Sequence, residues 1–223
     1  ISILPEIGAL TALRNAIKPS QAAEPFLGIG DPLLSGTNVP AGRDAAISDL
    51  LRSLQPLPEA ADELDALATT LQASPKSIVT STAATEAAVK AMSLQNYRVI
   101  AFATHGLVAG DFGRLREPGL VLTPPQSATD ADDGLLTAGE IADLKLDADW
   151  VILSACNTAA ADGTPGAEGL SGLARGFFFA GTRALLVSQW EVLSVAAVQL
   201  TTGTLTHLGE APQAGRASAL RKA

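Results

Sequence analysis

Two side chains of this protein have the types needed to attack a carbonyl carbon. Cys156 is the sole cysteine in 223 residues, and His105 is one of two histidines. A free thiol with a pKa of about 8.5 is only a few per cent thiolate at neutral pH, so a neighbouring base that takes its proton makes it a nucleophile. The same imidazole can later protonate a leaving amine. Gly106 follows the histidine. A residue without a side chain lets a substrate carbonyl approach, and its N–H together with that of Cys156 would form an oxyanion hole. Taken singly, each residue also fits a plainer role: a lone cysteine is commonly a small buried hydrophobe, and a lone histidine after a strand is commonly a turn residue or a satisfied core group. Their joint placement, 51 positions apart and each at the end of an apolar run, points instead to a dyad.

The runs that carry them are "RVIAFATHG" and "DWVILSAC". Both are apolar continuously rather than alternately, as is "RALLVSQ", which suits parallel strands covered on both faces. The pattern predicts strands at Phe26–Ile29, Ser77–Thr80, Arg98–Thr104, Leu120–Leu122, Trp150–Ser154 and Arg183–Ser188. Amphipathic segments lie between them. "LPEAADELDALATTL" places Leu64, Leu67 and Leu71 on one helical face after an acidic first turn. Thr85 is a candidate N-cap for "TEAAVKAM", and Thr137 with Glu140 stands in capping-box register. In "EGLSGLARGFFFAGTR" Leu170, Leu173, Ala174, Phe177 and Phe178 share a face, and Gly181 supplies a C-terminal stop. "SVAAVQLTTGTLTHL" is a further helix. Strand alternating with helix implies one α/β domain with a mainly parallel sheet and helices on both faces, and functional groups then gather beyond the carboxyl ends of the strands. If the two reactive strands are neighbours, about 4.8 Å apart, imidazole and thiol can converge.

Composition removes several classes. The net charge of −8 supplies no basic stripe for nucleic acid and none for an anionic membrane surface. Apolar runs fall short of the roughly 18 residues that span a bilayer, and no signal peptide opens the chain. A single cysteine cannot close a disulfide within the chain, so a reducing cytoplasm is the expected home. Hydrophobic residues make up 47% and aromatics 4%, so the core is built mainly from Ala, Leu, Val and Ile. The chain opens at Ile1 and "GRASALRKA" stops in a helical pattern, which reads as a piece of a longer protein. "GIGDP" lacks the third glycine of a dinucleotide fingerprint, so a nucleotide or flavin binder is disfavoured and no cofactor is expected. Asp130, Asp132 and Asp133 read as a solvated loop, because no Glu stands at the twelfth position that a calcium loop needs. No metal is expected. Arg175 and Glu168 belong to the "EGLSGLAR" helix, and His207 reads as a surface residue near the end of the last long helix.

The strings "FATHG", "GLLTAGEI", "VILSACNTA", "GAEGLSGLARGFFFAGTRALLVSQW" and "FLGIGDPL" together resemble the CHAT domain, a caspase-like domain related to separase and often found after TPR repeats. The resemblance runs roughly from Phe26 to the C-terminus, and a separation of about 50 residues between histidine and cysteine is the one given for caspase-type enzymes. It implies a caspase-like αβα sandwich and a cysteine endopeptidase acting on protein or peptide, with His105 as general base, Cys156 as nucleophile and Gly106 at the oxyanion position. It implies no carboxylate third member, since related enzymes orient the histidine with backbone groups. The substrate pocket would involve Ser154, Gln189, Trp190, Glu191 and Leu193. Family members often read "W-x-V-D-[DS]-x-A-[AT]" where this chain has "WEVLSVAA", so Leu193 and Val195 replace commonly acidic positions. Without those carboxylates the expected residue before the cut bond is uncharged, such as Leu, Met or Ala, rather than a basic partner for an ion pair. Control by a TPR or sensor region in the same protein is the family habit. The competing reading is a caspase-like signalling or scaffolding module without activity.

Overall fold

The computed structural model describes residues 19–34, 45–110, 115–129, 131–154, 169–187 and 194–223. Five parallel strands form the main sheet: β1 (Glu24–Pro32), β2 (Ile78–Ser81), β3 (Tyr97–Ala103), β7 (Trp150–Leu153) and β8 (Leu185–Val187), in the order β2-β1-β3-β7-β8. Three short strands, β4 (Gly106–Leu107), β5 (Gly119–Val121) and β6 (Leu135–Thr137), make a second, antiparallel sheet. The helices are α1 (Ala45–Arg52), α2 (Ala60–Thr70), α3 (Glu86–Ala91), α4 (Ala138–Asp143), α5 (Gly169–Ala180), α6 (Ser194–Glu210) and α7 (Arg216–Lys222).

Alternation along the central strands assigns the layers. Val99, Ala101 and Ala103 of β3, with Trp150 and Ile152 of β7, pack with Leu64 and Leu67 of α2 and Leu205 of α6. Ile100 and Phe102, with Val151 and Leu153, pack on the other face against Val89 of α3, Ile141 of α4, and Leu173 and Phe177 of α5. Phe102 and Phe177 meet with ring centroids 5.6 Å apart. The result is an α/β sandwich of the caspase-like kind, with both faces of the parallel sheet covered, as the continuous apolar strands require.

Local signals act as their chemistry dictates. The Thr85 side chain accepts from the Ala88 N–H and starts α3. Thr137 and Glu140 form a complete capping box at α4. Gly181 closes α5 with φ +115, and an added Cβ would stand 2.3 Å from the Leu146 carbonyl oxygen, so no other residue fits there. The strand expected at Leu120–Leu122 forms at Gly119–Val121, but in the antiparallel sheet rather than the parallel one. α1 carries no counterpart in the sequence reading; its Leu51 is buried in a small separate cluster with Leu107, Val121 and Leu135.

Candidate active site

β3 and β7 are neighbours. Their ladder pairs Val99 with Trp150, Ile100 with Val151, Ala101 with Ile152 and Phe102 with Leu153. Each pair is separated along the chain by the same 51 residues that separate His105 from Cys156. Cys156 itself lies outside the described residues, as do Gln189, Trp190, Glu191 and Leu193.

His105 sits two residues beyond β3 and is 4% exposed. The chain there passes from the parallel sheet into the antiparallel one. The buried Thr104 hydroxyl donates to the Val121 carbonyl, and the Val121 N–H donates to the His105 carbonyl at 2.9 Å. The backbone on either side of the imidazole is thereby fixed. The ring is held as well, because Nε2 lies 2.7 Å from the Gln55 carbonyl oxygen. A carbonyl can only accept, so Nε2 carries the hydrogen, and in the neutral ring Nδ1 holds the lone pair. A backbone group thus orients the histidine.

Gln55 was not among the candidates read from sequence, because a backbone carbonyl leaves no mark in residue type. A signal was nevertheless present. Gln55 precedes Pro56 and follows the end of α1 at Arg52, and a residue before proline is pushed out of helical geometry, so its carbonyl is free of any helical ladder.

Gly106 pairs with Leu120. The Val121 N–H to His105 carbonyl bond makes this the non-hydrogen-bonded kind of antiparallel pair, in which each residue's own N–H and C=O turn away from the partner strand. Since β4 is an edge strand of its sheet, the Gly106 N–H points away from β5.

Ser154 is the first residue after β7. Its N–H donates to the Phe102 carbonyl at 2.9 Å, continuing the β3–β7 connection toward the cysteine. Its hydroxyl makes a very short hydrogen bond with the Glu63 carboxyl. Glu63, on α2, is 5% exposed. Burial raises its pKa above the usual carboxylate range, opposed by the Ser154 bond. In sequence this residue is part of the acidic first turn of a helix; tertiary packing of Leu64 and Leu67 turns it inward.

A second ionic group lies elsewhere. The Lys90 ammonium contacts Glu86 Oε1 at 2.5 Å and Glu140 Oε1 at 2.7 Å, and Glu86 Oε2 accepts from the N–H groups of Asp133 and Gly134 at 2.9 and 3.0 Å. Asp132 and Asp133, expected as a solvated loop, are half-buried here, and Asp133 accepts from the Leu135 N–H; Asp130 is outside the described residues. An acidic groove of about 400 Å³ opens beside this cluster, lined by Glu117, Asp133, Glu140 and Asp143 among others. Among the described residues no group of three or more His, Cys, Asp or Glu is placed to hold a metal ion. No helix among them is long and apolar enough to cross a membrane.

The family model described as the CHAT domain matches residues 1–223. No curated protein matches the chain, and no solved structure does.

Proposed function

The chain belongs to the CHAT domain family, and from that premise we propose that it is a cysteine endopeptidase working through a His105–Cys156 dyad. The observation that carries the reading is the fixed tautomer of His105: its Nε2 hydrogen is committed to the Gln55 carbonyl, at the end of a strand whose direct neighbour leads to Cys156. That leaves Nδ1 as the base.

In this mechanism Nδ1 takes the thiol proton, and the thiolate adds to the scissile carbonyl carbon. The negative oxygen is received by the Gly106 N–H and the Cys156 N–H. The imidazolium then gives its proton to the departing amine, and the C–N bond breaks to leave a thioester. Water, deprotonated by Nδ1, adds to the thioester carbonyl. Collapse of that adduct releases the carboxylic acid and returns the proton to sulfur. A carboxylate third member is not required, because the Gln55 carbonyl does the orienting.

For the substrate we propose an uncharged residue before the cut bond. Leu193 supplies no carboxylate, and Ser154 presents a hydroxyl whose acid partner Glu63 is buried. Gln189, Trp190 and Glu191 complete the pocket in this reading, and control comes from a TPR or sensor region in the same protein.

The test uses the protein with its native flanking sequence and a peptidyl electrophile that alkylates thiols. Labelling is expected in the wild type and lost in both Cys156→Ala and His105→Ala. Equal labelling with and without His105 would make Cys156 an ordinary exposed thiol, and no labelling at all would leave a silent scaffolding module. A peptide library should be cut after Leu, Met or Ala; cleavage mainly after Arg refutes the pocket assignment.

A further inference from the structure

The dyad mechanism gives Glu63 no task, yet its surroundings are those of a residue with one. A carboxyl at 5% exposure is costly to bury without a good partner. This one is placed by a helix whose neighbouring Leu64 and Leu67 are fully buried, and it reaches Ser154 across a sequence separation of 91 residues. We propose that Glu63 is a positioning residue of the peptidase site, holding the end of β7 through the Ser154 hydroxyl and so fixing the point from which the chain runs to Cys156. The inference rests on the peptidase reading above and assigns that site a further residue.

The chain geometry is tight. Ser154 is held at its N–H by the Phe102 carbonyl and at its side chain by Glu63. Gln55, whose carbonyl holds the imidazole, lies in the same short stretch of chain as Glu63. Residues 55–63 therefore contact both strand ends, one through a main-chain oxygen and the other through a carboxyl. Base and nucleophile must be matched closely, and a misplacement of about 1 Å can cost about 10²-fold in rate. A common support sets their relative position in a way that two independent loops would not.

The experiment measures kcat and KM for peptide cleavage by the protein with its native flanks, as wild type, Glu63→Leu, Glu63→Gln, Ser154→Ala and Glu63→Leu/Ser154→Ala, with Cys156→Ala as blank. Glu63→Leu should lower kcat by about 10²-fold with KM changed less than about twofold, and Ser154→Ala should lower kcat by a similar factor, on the misplacement scale. The double variant should fall no further than either single one, because both remove the same bond. Glu63→Gln keeps a hydrogen-bonding group in place and should recover most of kcat. The proposal is overturned if Glu63→Leu or Ser154→Ala keeps wild-type kcat, if their losses multiply in the double variant, or if Gln is as poor as Leu. Wild-type turnover absent, or unchanged in Cys156→Ala, refutes the peptidase reading and this inference with it. Cys156-dependent turnover that ignores Glu63 refutes the inference alone.

Discussion

Replacing Lys90 with Met would strip the one ammonium shared by Glu86 and Glu140 while keeping the volume of its stem. The size of the loss follows from exposure. Breaking a fully buried ion pair costs about 3–5 kcal/mol, and an exposed pair is worth about 0–1 kcal/mol. The Glu86 side chain is 1% exposed, whereas those of Lys90 and Glu140 are 29% and 26% exposed, so this site falls between, at about 2–3 kcal/mol. For a chain of this size that corresponds to a Tm lower by roughly 5–10 °C. The loss should depend on pH. Burial, opposed by the Lys90 bond and two backbone N–H groups and reinforced by the Glu140 charge, pushes the Glu86 carboxyl from 4.5 up to about 7. A carboxyl whose folded pKa is raised contributes stability below its unfolded value, and that contribution is lost as pH rises through the folded value. Without Lys90 the folded value climbs further, so the penalty of Lys90→Met should grow between about pH 5 and pH 8 and shrink in acid, where a protonated Glu86 needs no cation. Thermal unfolding of wild type, Lys90→Met and Lys90→Met/Glu86→Gln across that range measures it. The added Gln should restore more than half of the lost Tm at pH 8. A penalty that is flat with pH, or one that Glu86→Gln deepens, refutes the account of the cluster.

Three other perturbations have defined outcomes. In Gly30→Ala the new Cβ would lie 2.2 Å from the Ala103 carbonyl oxygen, forcing β1 and β3 apart next to the histidine; urea unfolding should show a loss of about 1–3 kcal/mol or more, together with weaker thiol-probe labelling. Glu63→Gln removes a carboxyl whose folded pKa is raised by burial against the Ser154 bond, so it should stabilise the protein above that raised pKa, with the gain fading as pH falls from it toward about 4.5, the unfolded value, and absent below; a gain that grows toward acid contradicts this sign. Asp149→Asn takes the shared carboxylate from Arg98, Arg183 and Arg216, at 3.0, 4.0 and 3.8 Å; chemical denaturation should show a loss of about 1–3 kcal/mol, with kcat for any Cys156-dependent cleavage unchanged.

The parallel sheet was legible because its strands carry their own signal. A strand covered on both faces must be apolar at successive positions, and Ile100 to Ala103 and Trp150 to Leu153 are almost wholly buried. Thr137 and Glu140 were legible because a capping box is local chemistry at fixed spacing. The antiparallel sheet was not legible as such: β4 has two residues and β6 three, too few to show an alternation, and their pairing depends on chain returning from distant turns. At the site, side-chain identity marked His105, Gly106 and Ser154 as candidates. The Gln55 carbonyl and the Glu63 carboxyl escaped for opposite reasons. The first has no side-chain signature at all. The second stands in an acidic first turn with no mark of a role, and its burial is decided by how α2 lies on β3 and β7, a tertiary fact that helical periodicity alone does not weigh for a charged residue.

The polar groups of the sheet divide between its two ends, and the division bears on how the site works. At the amino ends of β3 and β7, Asp149 gathers Arg98, Arg183 and Arg216, and the Arg216 guanidinium lies 5.6 Å from the Trp150 ring centroid. Asp147 accepts from Arg183 and from the Gln21 N–H; burial pulls its pKa up, but those bonds hold it below the usual value. Opposite charges pair there, and α7 and the segment at Ser20–Gln21 are both fastened to this edge. At the carboxyl ends the holds are of another kind: a carbonyl on an imidazole, a carboxyl on a hydroxyl, and main-chain bonds from Val121 and to Phe102. A cation placed beside His105 would stabilise its neutral form and weaken it as a base. A bare carboxylate would instead stabilise the imidazolium and draw positive charge to the cleft. In the proposed dyad, a main-chain carbonyl and a hydroxyl hold the ends of β3 and β7, and neither of these holds is a cation beside the base.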